Sequence, residues 1–86
     1  MSQYKAIAMK AKDNVATVTE DIAAGSEIKI PVGDEILHVL VTENIRFGHK
    51  IAIRPIGKDE KIIKYGEVIG VATADIKPGQ HTHVHN

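Results

Sequence analysis

Short runs of β-branched and small apolar residues, interrupted by glycine and polar turn residues, dominate this sequence and predict strands rather than helices. Residues 15–19 alternate between apolar and polar side chains, and Gly33 and Asp34 separate two β-branched runs at 27–32 and 35–42. Apolar residues nowhere keep a helical period for three turns, so at most one helical turn is expected, at residues 42–45. Other candidate strands are residues 4–11, which would form a hairpin with 15–19, and residues 50–54, 67–73 and 81–85. The pattern predicts an all-β protein.

A short motif recurs along the chain and predicts repeated corners between strands. Each copy has an isoleucine, two intervening residues, a glycine and then the start of a new strand. Glycine suits such a turn because one of its positions commonly requires a positive φ. The copies are Ile22-Ala-Ala-Gly25-Ser-Glu-Ile28, Ile45-Arg-Phe-Gly48-His-Lys-Ile51, Ile63-Lys-Tyr-Gly66-Glu-Val-Ile69 and, more weakly, Ile76-Lys-Pro-Gly79-Gln-His-Thr82. Asp21 and Asp75 precede the first and fourth copies. The copies are too short and unevenly spaced for a solenoid, so we expect one compact domain, residues 1–86.

Composition narrows the function classes that this domain can serve. The chain has 86 residues, of which 43% are hydrophobic but only 3% aromatic, so Val, Ile and Ala must fill a shallow core. Domains this small often gain stability from a partner. Lys plus Arg and Asp plus Glu number 11 each, and this balance argues against nucleic acid or an anionic membrane as the main partner. The absence of cysteine excludes disulfides, thiol catalysis and thiolate metal sites.

The sequence shows no targeting or membrane-spanning signal. Its N-terminus lacks the long apolar stretch of a signal peptide. No segment approaches the roughly 20 apolar residues that span a bilayer. We therefore expect a soluble, cytoplasmic protein.

Histidine provides the most suggestive chemistry. His81, His83 and His85 alternate along the sequence, so on a strand their imidazoles would share one face. Neighbours on that face are roughly 6–7 Å apart at Cα. Two of them can bind one metal ion, and imidazole suits zinc, iron, nickel and copper. The alternative is a solvated, polar terminal strand without a ligand, and the sequence leaves both interpretations open.

His49 and Lys50 are the candidate catalytic residues. They follow Gly48 at a predicted corner, where His49 could donate a proton, bind a metal or contact an anion beside Lys50. Equally, His49 could simply begin a strand with its ring half exposed. His38 has apolar neighbours and is expected to be a satisfied or edge-facing histidine.

Familiar catalytic motifs are missing. The sequence has no nucleophile elbow, phosphate-binding loop, dinucleotide fingerprint or zinc-protease helix. Its carboxylates are scattered beside turns, where we expect them to cap backbone groups and maintain solubility. A complete active site is not expected in so small a chain, because a deep pocket is hard to build in it.

Several segments of the second half resemble a single protein family. They are Gly48-His49-Lys50-Ile51-Ala52, Gly57, Lys64-Tyr65-Gly66-Glu67-Val68-Ile69-Gly70-Val71-Ala72, Ile76-Lys77-Pro78-Gly79 and His83-Val84-His85-Asn86. Together they resemble the N-terminal domain of altronate and galactarate dehydratases, an SAF-type domain with a β-clip fold. Over residues 1–44 the likeness is mainly one of length and strand pattern. Thr82 stands where valine is more usual between the histidines.

This resemblance implies the small subunit of a metal-dependent sugar-acid dehydratase. Family members eliminate water or a related leaving group from a polyhydroxy acid and depend on a divalent metal, often iron. A large domain is expected to hold most of the catalytic machinery. Because the chain ends at Asn86, where fused members continue, we expect a separate large catalytic subunit as the partner, with the sugar acid bound in the complex. The isolated chain is expected to be inactive and could self-associate through unpaired edge strands.

The role of the histidines within such a complex stays open. His49, or the pair His83 and His85, would reach or border the active site of the large subunit. In a weaker version of the hypothesis these residues only form the subunit interface.

Three other functions stay open alongside the dehydratase. The first is sulfolactate sulfo-lyase, in which the SAF-type domain is a separate small subunit. The second is a non-catalytic binding module, since SAF-type domains also occur in pilus and flagellar assembly chaperones and in antifreeze-like proteins. The third is a free-standing metal-binding protein that uses the terminal histidines.

Overall fold

The computed structural model describes residues 4–82, which form short strands and no helix. The strands are β1 (Ala6–Ile7), β2 (Val15–Val18), β3 (Glu27–Val32), β4 (Glu35–Leu40), β5 (Lys50–Ala52), β6 (Lys61–Lys64), β7 (Glu67–Val71) and β8 (His81–Thr82). The predicted all-β class is therefore confirmed. The helical turn expected at residues 42–45 is wrong, because this segment is an irregular connection that ends in an isolated bridge at Ile45. Within residues 4–82 there is consequently no helix that could cross a membrane.

A four-stranded antiparallel sheet in the order β1-β2-β5-β8 forms the centre of the domain. The expected N-terminal hairpin is present, since β1 pairs with β2 and places Ala6 opposite Val18. In the middle of the sheet β2 pairs with β5, and Ala16 lies opposite Ile51. β8 pairs with the free side of β5, which brings residues from the two ends of the chain to opposite edges of one sheet.

Two hairpins, β3–β4 and β6–β7, extend from this sheet, and their loops have different chemistry. Gly33 begins the loop of β3–β4 with a φ of 60°, as a type II′ turn requires. The loop of β6–β7 has a positive φ at both central residues, 53° at Tyr65 and 81° at Gly66, as in a type I′ turn. A tyrosine in the left-handed region is uncommon. It keeps its side chain at the tip of the hairpin.

Four corners of identical backbone form connect the strands, at residues 22–26, 45–49, 56–60 and 76–80, and we call them corners 1 to 4. Each begins with an isoleucine in an isolated bridge, and its fourth residue has a positive φ. That fourth residue donates its N–H to the carbonyl of a partner residue at or just after the end of a strand, and the partner donates its own N–H to the carbonyl of the fifth corner residue. The partner residues for corners 1 to 4 are Val41, Val18, Ala72 and Ala52.

The third predicted copy of the corner motif is misplaced. The segment from Ile63 to Gly66 is the tip of the β6–β7 hairpin and not a corner. The true third corner begins at Ile56, and Asp59 occupies its left-handed position with a φ of 71°. Aspartate tolerates this conformation better than most residues. A motif defined by glycine at the fourth position therefore does not include this corner.

Corners 1 and 2 cap each other. Their isoleucines, Ile22 and Ile45, exchange backbone hydrogen bonds of 2.8 and 2.9 Å. Asp21 Oδ1 accepts the N–H of Phe47 in corner 2 at 2.8 Å. Asn44 Oδ1 accepts the N–H of Ala24 in corner 1 at 2.9 Å. The third residue of each corner is thus satisfied by the side chain that precedes the other corner.

Corners 3 and 4 repeat this arrangement with one substitution. Asp75 Oδ1 accepts the N–H of Lys58 in corner 3 at 2.8 Å. The reciprocal position before corner 3 is Pro55, which has no capping side chain. None is needed, because the third residue of corner 4 is Pro78, which has no N–H. The aspartates noted before the first and fourth copies are therefore capping groups.

Two buried clusters cover the two faces of the central sheet. Successive residues of a strand point to opposite faces, so Ala16 and Ile51 join the first cluster while Val15 and Ala52 join the second. The first cluster packs beneath the β3–β4 hairpin and the second beneath β6–β7. The first cluster comprises Ala6, Ala8, Ala16, Val18, Ile22, Ile28, Ile30, Val32, Val39, Val41, Ile45, Ile51 and Ile53, and the second comprises Val15, Ala52, Ile56, Ile62 and Ala72. As the composition predicted, Val, Ile and Ala fill both.

Candidate functional site

The rings of His49 and His81 meet on the first-cluster side of the central sheet. Nδ1 of His49 lies 2.9 Å from Nε2 of His81. The ring centroids are 4.9 Å apart and the ring planes are inclined by 48°. The pairing of β5 with β8 produces this contact, because His81 lies opposite Ile51 and is therefore the diagonal neighbour of His49. At this distance one ring nitrogen donates a hydrogen bond and the other accepts it.

The corner geometry shows that His49 is not needed to hold its own turn. His49 is the fifth residue of corner 2, and the fifth residues of corners 3 and 4 are Glu60 and Gln80. Glu60 Oε1 accepts the N–H of the second residue of its own corner at 2.6 Å, and Gln80 Oε1 does the same at 2.7 Å. In corner 2 the side chain at this position turns instead to His81. At the fifth position, corners 3 and 4 use a side-chain oxygen to cap their own backbone. Corner 2 instead has an imidazole that bonds to a second imidazole.

An acid bonds to the backbone of the histidine pair, and an aromatic residue precedes the pair in the same corner. Glu43 Oε2 accepts the backbone N–H of His81 at 3.0 Å. Phe47, the single phenylalanine of the chain, precedes the pair in corner 2 and is 69% exposed. Its backbone is fixed by the bond to Asp21. The backbone of the pair is thus bonded to a carboxylate, and an exposed aromatic residue with a fixed backbone lies two positions before His49.

Lys50 lies on the other side of the sheet from the histidine pair. It pairs with Thr17 on β2 and with Thr82 on β8, and all three residues share the face of the second cluster. The two residues predicted to be catalytic, His49 and Lys50, are therefore separated by the sheet even though they are adjacent in sequence. No single small ligand lying on one face can contact both side chains.

The remaining histidines fall into two groups. His38 is exposed on β4, opposite Lys29, and its Nδ1 is 4.0 Å from Glu27 Oε1, which agrees with the edge-facing role expected of it. His83 and His85, predicted as metal ligands with His81, lie outside the described residues.

Comparison with known proteins identifies the family. A family model described as the altronate/galactarate dehydratase SAF domain matches residues 4–86. The chain belongs to this SAF domain family.

Named relatives of this SAF domain include two kinds of enzyme. It is 40% identical over 80 residues to altronate dehydratase of Escherichia coli (strain K12), covering 93% of this chain and 15% of that protein. It is 39% identical over 67 residues to the galactarate dehydratase (L-threo-forming) of the same organism, covering 12% of that protein. It is also 39% identical over 71 residues to subunit alpha of the (2R)-sulfolactate sulfo-lyase of Chromohalobacter salexigens, covering 80% of this chain and 76% of that subunit. The domain thus spans about one seventh of the dehydratases but most of the sulfo-lyase subunit.

The SAF domain offers two ligands for the divalent metal that the resemblance implies. The nitrogens of His49 and His81 are 2.9 Å apart. Tetrahedral ligand nitrogens on zinc lie roughly 3.3–3.4 Å apart, given bonds of about 2.0–2.1 Å, so the two rings would have to separate slightly to bind one ion. Among residues 4–82, however, no three His, Asp or Glu side chains are close enough together to hold an ion. The pair fits as part of a site whose remaining ligands would come from outside this part of the chain.

Sequence reasoning missed several polar residues around these positions. Thr17 and Glu43 gave no signal, because only the strand register and the corner packing bring them near Lys50 and His81. Tyr65 lies in one of the segments that carry the resemblance, and this membership could have singled it out.

Proposed function

We propose that this SAF domain is the small component of a metal-dependent sugar-acid dehydratase of the altronate/galactarate type, a cytoplasmic hydro-lyase, and that it acts with a large catalytic partner. The match of the family model to residues 4–86, together with the identity to altronate dehydratase over 93% of the chain, carries this proposal. The domain corresponds to only 15% of that enzyme, so the partner supplies the rest of the machinery. The zero net charge of the chain agrees with a protein partner rather than nucleic acid or membrane.

The histidine pair has the chemistry that such a reaction uses. Dehydration of a sugar acid requires a base for the proton beside the carboxylate, an acid for the departing hydroxyl and a cation that stabilises the enolate. The resemblance to the family implies a divalent metal, iron, which would supply that cation. Across the 2.9 Å contact, His49 can pass a proton to His81 or receive one from it, so the pair can take up or deliver one proton at its exposed side. If both rings held the metal through these nitrogens, the pair would supply ligands and would not transfer a proton across this contact.

The surface around the pair has the character of a docking site for the catalytic partner. Phe47 exposes 69% of its surface beside His49, and Arg46 precedes it in the same corner. Aromatic and arginine side chains are enriched among the residues that dominate binding energy at interfaces. The Asp21 bond to the Phe47 N–H fixes this corner before binding, which lowers the entropy cost of association. Docking here would bring the His49–His81 pair to the boundary with the partner.

Reconstitution tests the proposal. The chain is co-purified with the large subunit encoded beside its gene and assayed with ferrous iron on altronate, galactarate and sulfolactate. Activity that requires both components is expected. If the chain binds no such partner, or if the large subunit is equally active without it, the proposal is wrong and a non-catalytic binding module becomes the better description.

A sulfolactate sulfo-lyase is the second candidate. The observation that favours it is the extent of the match, since the chain covers 76% of a protein that is itself a named subunit. Elimination of sulfite and elimination of water share the need for proton abstraction beside a carboxylate, so the same pair could serve either reaction. The substrate panel separates the two, because bisulfite release from sulfolactate is specific to the sulfo-lyase.

A further inference from the structure

A polar row crosses the central sheet on the face opposite the histidine pair. The strand register places Ile7 opposite Thr17, Thr17 opposite Lys50, and Lys50 opposite Thr82. Directly opposed residues on adjacent antiparallel strands have Cβ atoms about 4.5–5.5 Å apart. Three of the four members of this row are therefore polar neighbours on one surface.

The row lies where the second cluster ends. Val15 and Ala52 are the next pair on this face, two residues along each strand from Thr17 and Lys50. Both are fully buried beneath the β6–β7 hairpin. The tip of that hairpin lies next to the row. There the hydroxyl of Tyr65 is 3.3 Å from Thr17 Oγ1. Lys50, Thr17 and Tyr65 are all half-buried. All three lie at the edge of the second cluster, on the sheet and at the tip of the hairpin.

Two features of the row indicate that a partner is missing. Thr82 is only 3% exposed, and its Oγ1 is the one buried side-chain polar atom within residues 4–82 that has no hydrogen-bond partner. Buried polar groups are normally satisfied, because an unmade hydrogen bond costs about 1–3 kcal/mol. Lys50 is half-buried beside it, and neither of the two ion pairs in the described part of the chain includes it. A cation and a hydroxyl with unused donors therefore lie on opposed strand positions.

We propose that Lys50, Thr82, Thr17 and Tyr65 form a site that binds a carboxylate of the hydroxy-acid substrate. This inference rests on the proposed function and adds to it a binding site separate from the histidine pair. A carboxylate is a pure acceptor, and it matches the Lys50 ammonium and the Thr82 hydroxyl. Thr17 accepts from Tyr65, so its own proton is free to bond a ligand hydroxyl. Because this site and the histidine pair lie on opposite faces, an acid held here is a second bound molecule and not the one whose proton the pair transfers.

Ligand titration of the full 86-residue chain tests this site. Galactarate is added while backbone amide NMR shifts are followed, and galactitol serves as the matched control because it has the hydroxyls without the carboxylates. Adipate supplies the two carboxylates without the hydroxyls. We expect saturable, salt-sensitive shifts around Thr17, Lys50 and Thr82 with galactarate, weaker shifts with adipate and none with galactitol.

Two substitutions make the test specific. Lys50→Gln is expected to weaken galactarate binding at least tenfold, whereas Lys29→Gln, an exposed lysine on β3, leaves it unchanged. Thr82→Val removes the unsatisfied hydroxyl, so it should weaken binding while the melting temperature stays the same or rises, which separates ligand loss from misfolding.

Three results would overturn the site. The first is the absence of saturable galactarate binding. The second is binding that is indifferent to Lys50→Gln. The third is Lys50→Gln that weakens co-purification with the large subunit but not galactarate binding, since the row would then hold a carboxylate side chain of the partner. None of these results bears on whether the reconstituted enzyme is active, so failure of this site leaves the proposed function standing.

Discussion

The carboxylate of Asp13 accepts the backbone N–H of Gly66 at 2.7 Å, although the two residues are 53 positions apart. Its other oxygen accepts the N–H groups of Met9 and Lys10 at 3.0 and 3.1 Å. Asp13 is completely buried. One side chain therefore ties the turn after β1 to the tip of the β6–β7 hairpin, where Tyr65 lies.

Replacing this carboxylate is expected to destabilise the domain. In Asp13→Asn the amide can accept through one atom only, and its NH₂ group faces backbone donors. We expect a loss of about 1–3 kcal/mol in the free energy of unfolding, measured by urea denaturation. Asp34→Asn, in the exposed β3–β4 loop, is the matched control and should change stability by less than about 0.5 kcal/mol. Equal effects of the two substitutions would contradict the role assigned to Asp13.

The same residue predicts how stability depends on pH. Burial by itself raises the pKa of Asp13, but backbone hydrogen bonds from Gly66, Lys10, Met9 and Tyr65 outweigh it and hold the pKa below its usual value. The stabilisation is therefore present above the unfolded-state pKa, which is about 3.9, and is lost as the pH falls through the lower, folded-state value. Asp13→Asn should remove this part of the acid sensitivity. Denaturation curves that show the same loss below pH 4 in both proteins would contradict the prediction.

Two glycines with nearly the same backbone conformation should respond differently to alanine. Gly25 has a φ of 90° and Gly79 a φ of 92°, so alanine is strained at either position. A Cβ at Gly25 meets nothing within 4 Å, whereas a Cβ at Gly79 collides with the carbonyl oxygen of Leu40. Gly25→Ala should cost about 1–2 kcal/mol, and Gly79→Ala should cost clearly more or prevent folding. Melting temperatures of the two variants make the comparison, and equal shifts would show that backbone strain alone matters at these corners.

The third corner can be checked through Asp59. Because its φ is 71°, a β-branched residue is disfavoured there and glycine is favoured. Asp59→Val should lower the free energy of unfolding by about 1–2 kcal/mol, while Asp59→Gly should leave it unchanged or raise it. The reverse order, measured by denaturation, would mean that residues 56–60 do not turn in this way in solution.

The histidine pair can be tested in the assembled enzyme. His49→Gln should reduce turnover by roughly 10²-fold or more, because it removes a group that transfers a proton or binds the metal. Bound metal is measured in the same samples, since its loss distinguishes ligation from proton transfer. His38→Gln, exposed on β4, should leave both quantities unchanged. Normal turnover and metal content in His49→Gln would reduce the pair to an interface role.

Strands were predictable from the sequence where neighbouring residues alone define them. The bounds of β3 were predicted correctly, and those of β4 to within two residues, because alternation and the Gly33-Asp34 loop are local features. β6 was missed, since the run from Lys61 to Lys64 has only two apolar residues between charged ones. Corner 3 was misplaced because an aspartate occupies its left-handed position.

The candidate site depended on register between distant strands. His49 and His81 were each singled out, but they are 32 positions apart and their contact requires β8 to pair with β5. The separation of His49 from Lys50 by the sheet followed from the alternation of β5, which is local. The polar neighbours of Lys50 were not predictable, because Thr17 and Tyr65 come from two other elements.

The fourfold corner gives this small domain redundancy. Three copies, ending in Ser26, Glu60 and Gln80, are enough to show that the backbone form does not depend on the identity of the fifth side chain. The fifth position of corner 2 therefore does not need a capping side chain and can hold the imidazole of His49. Such a scaffold can acquire a new reactive group by exchanging one residue in a repeated unit, without adding a loop or reshaping its core.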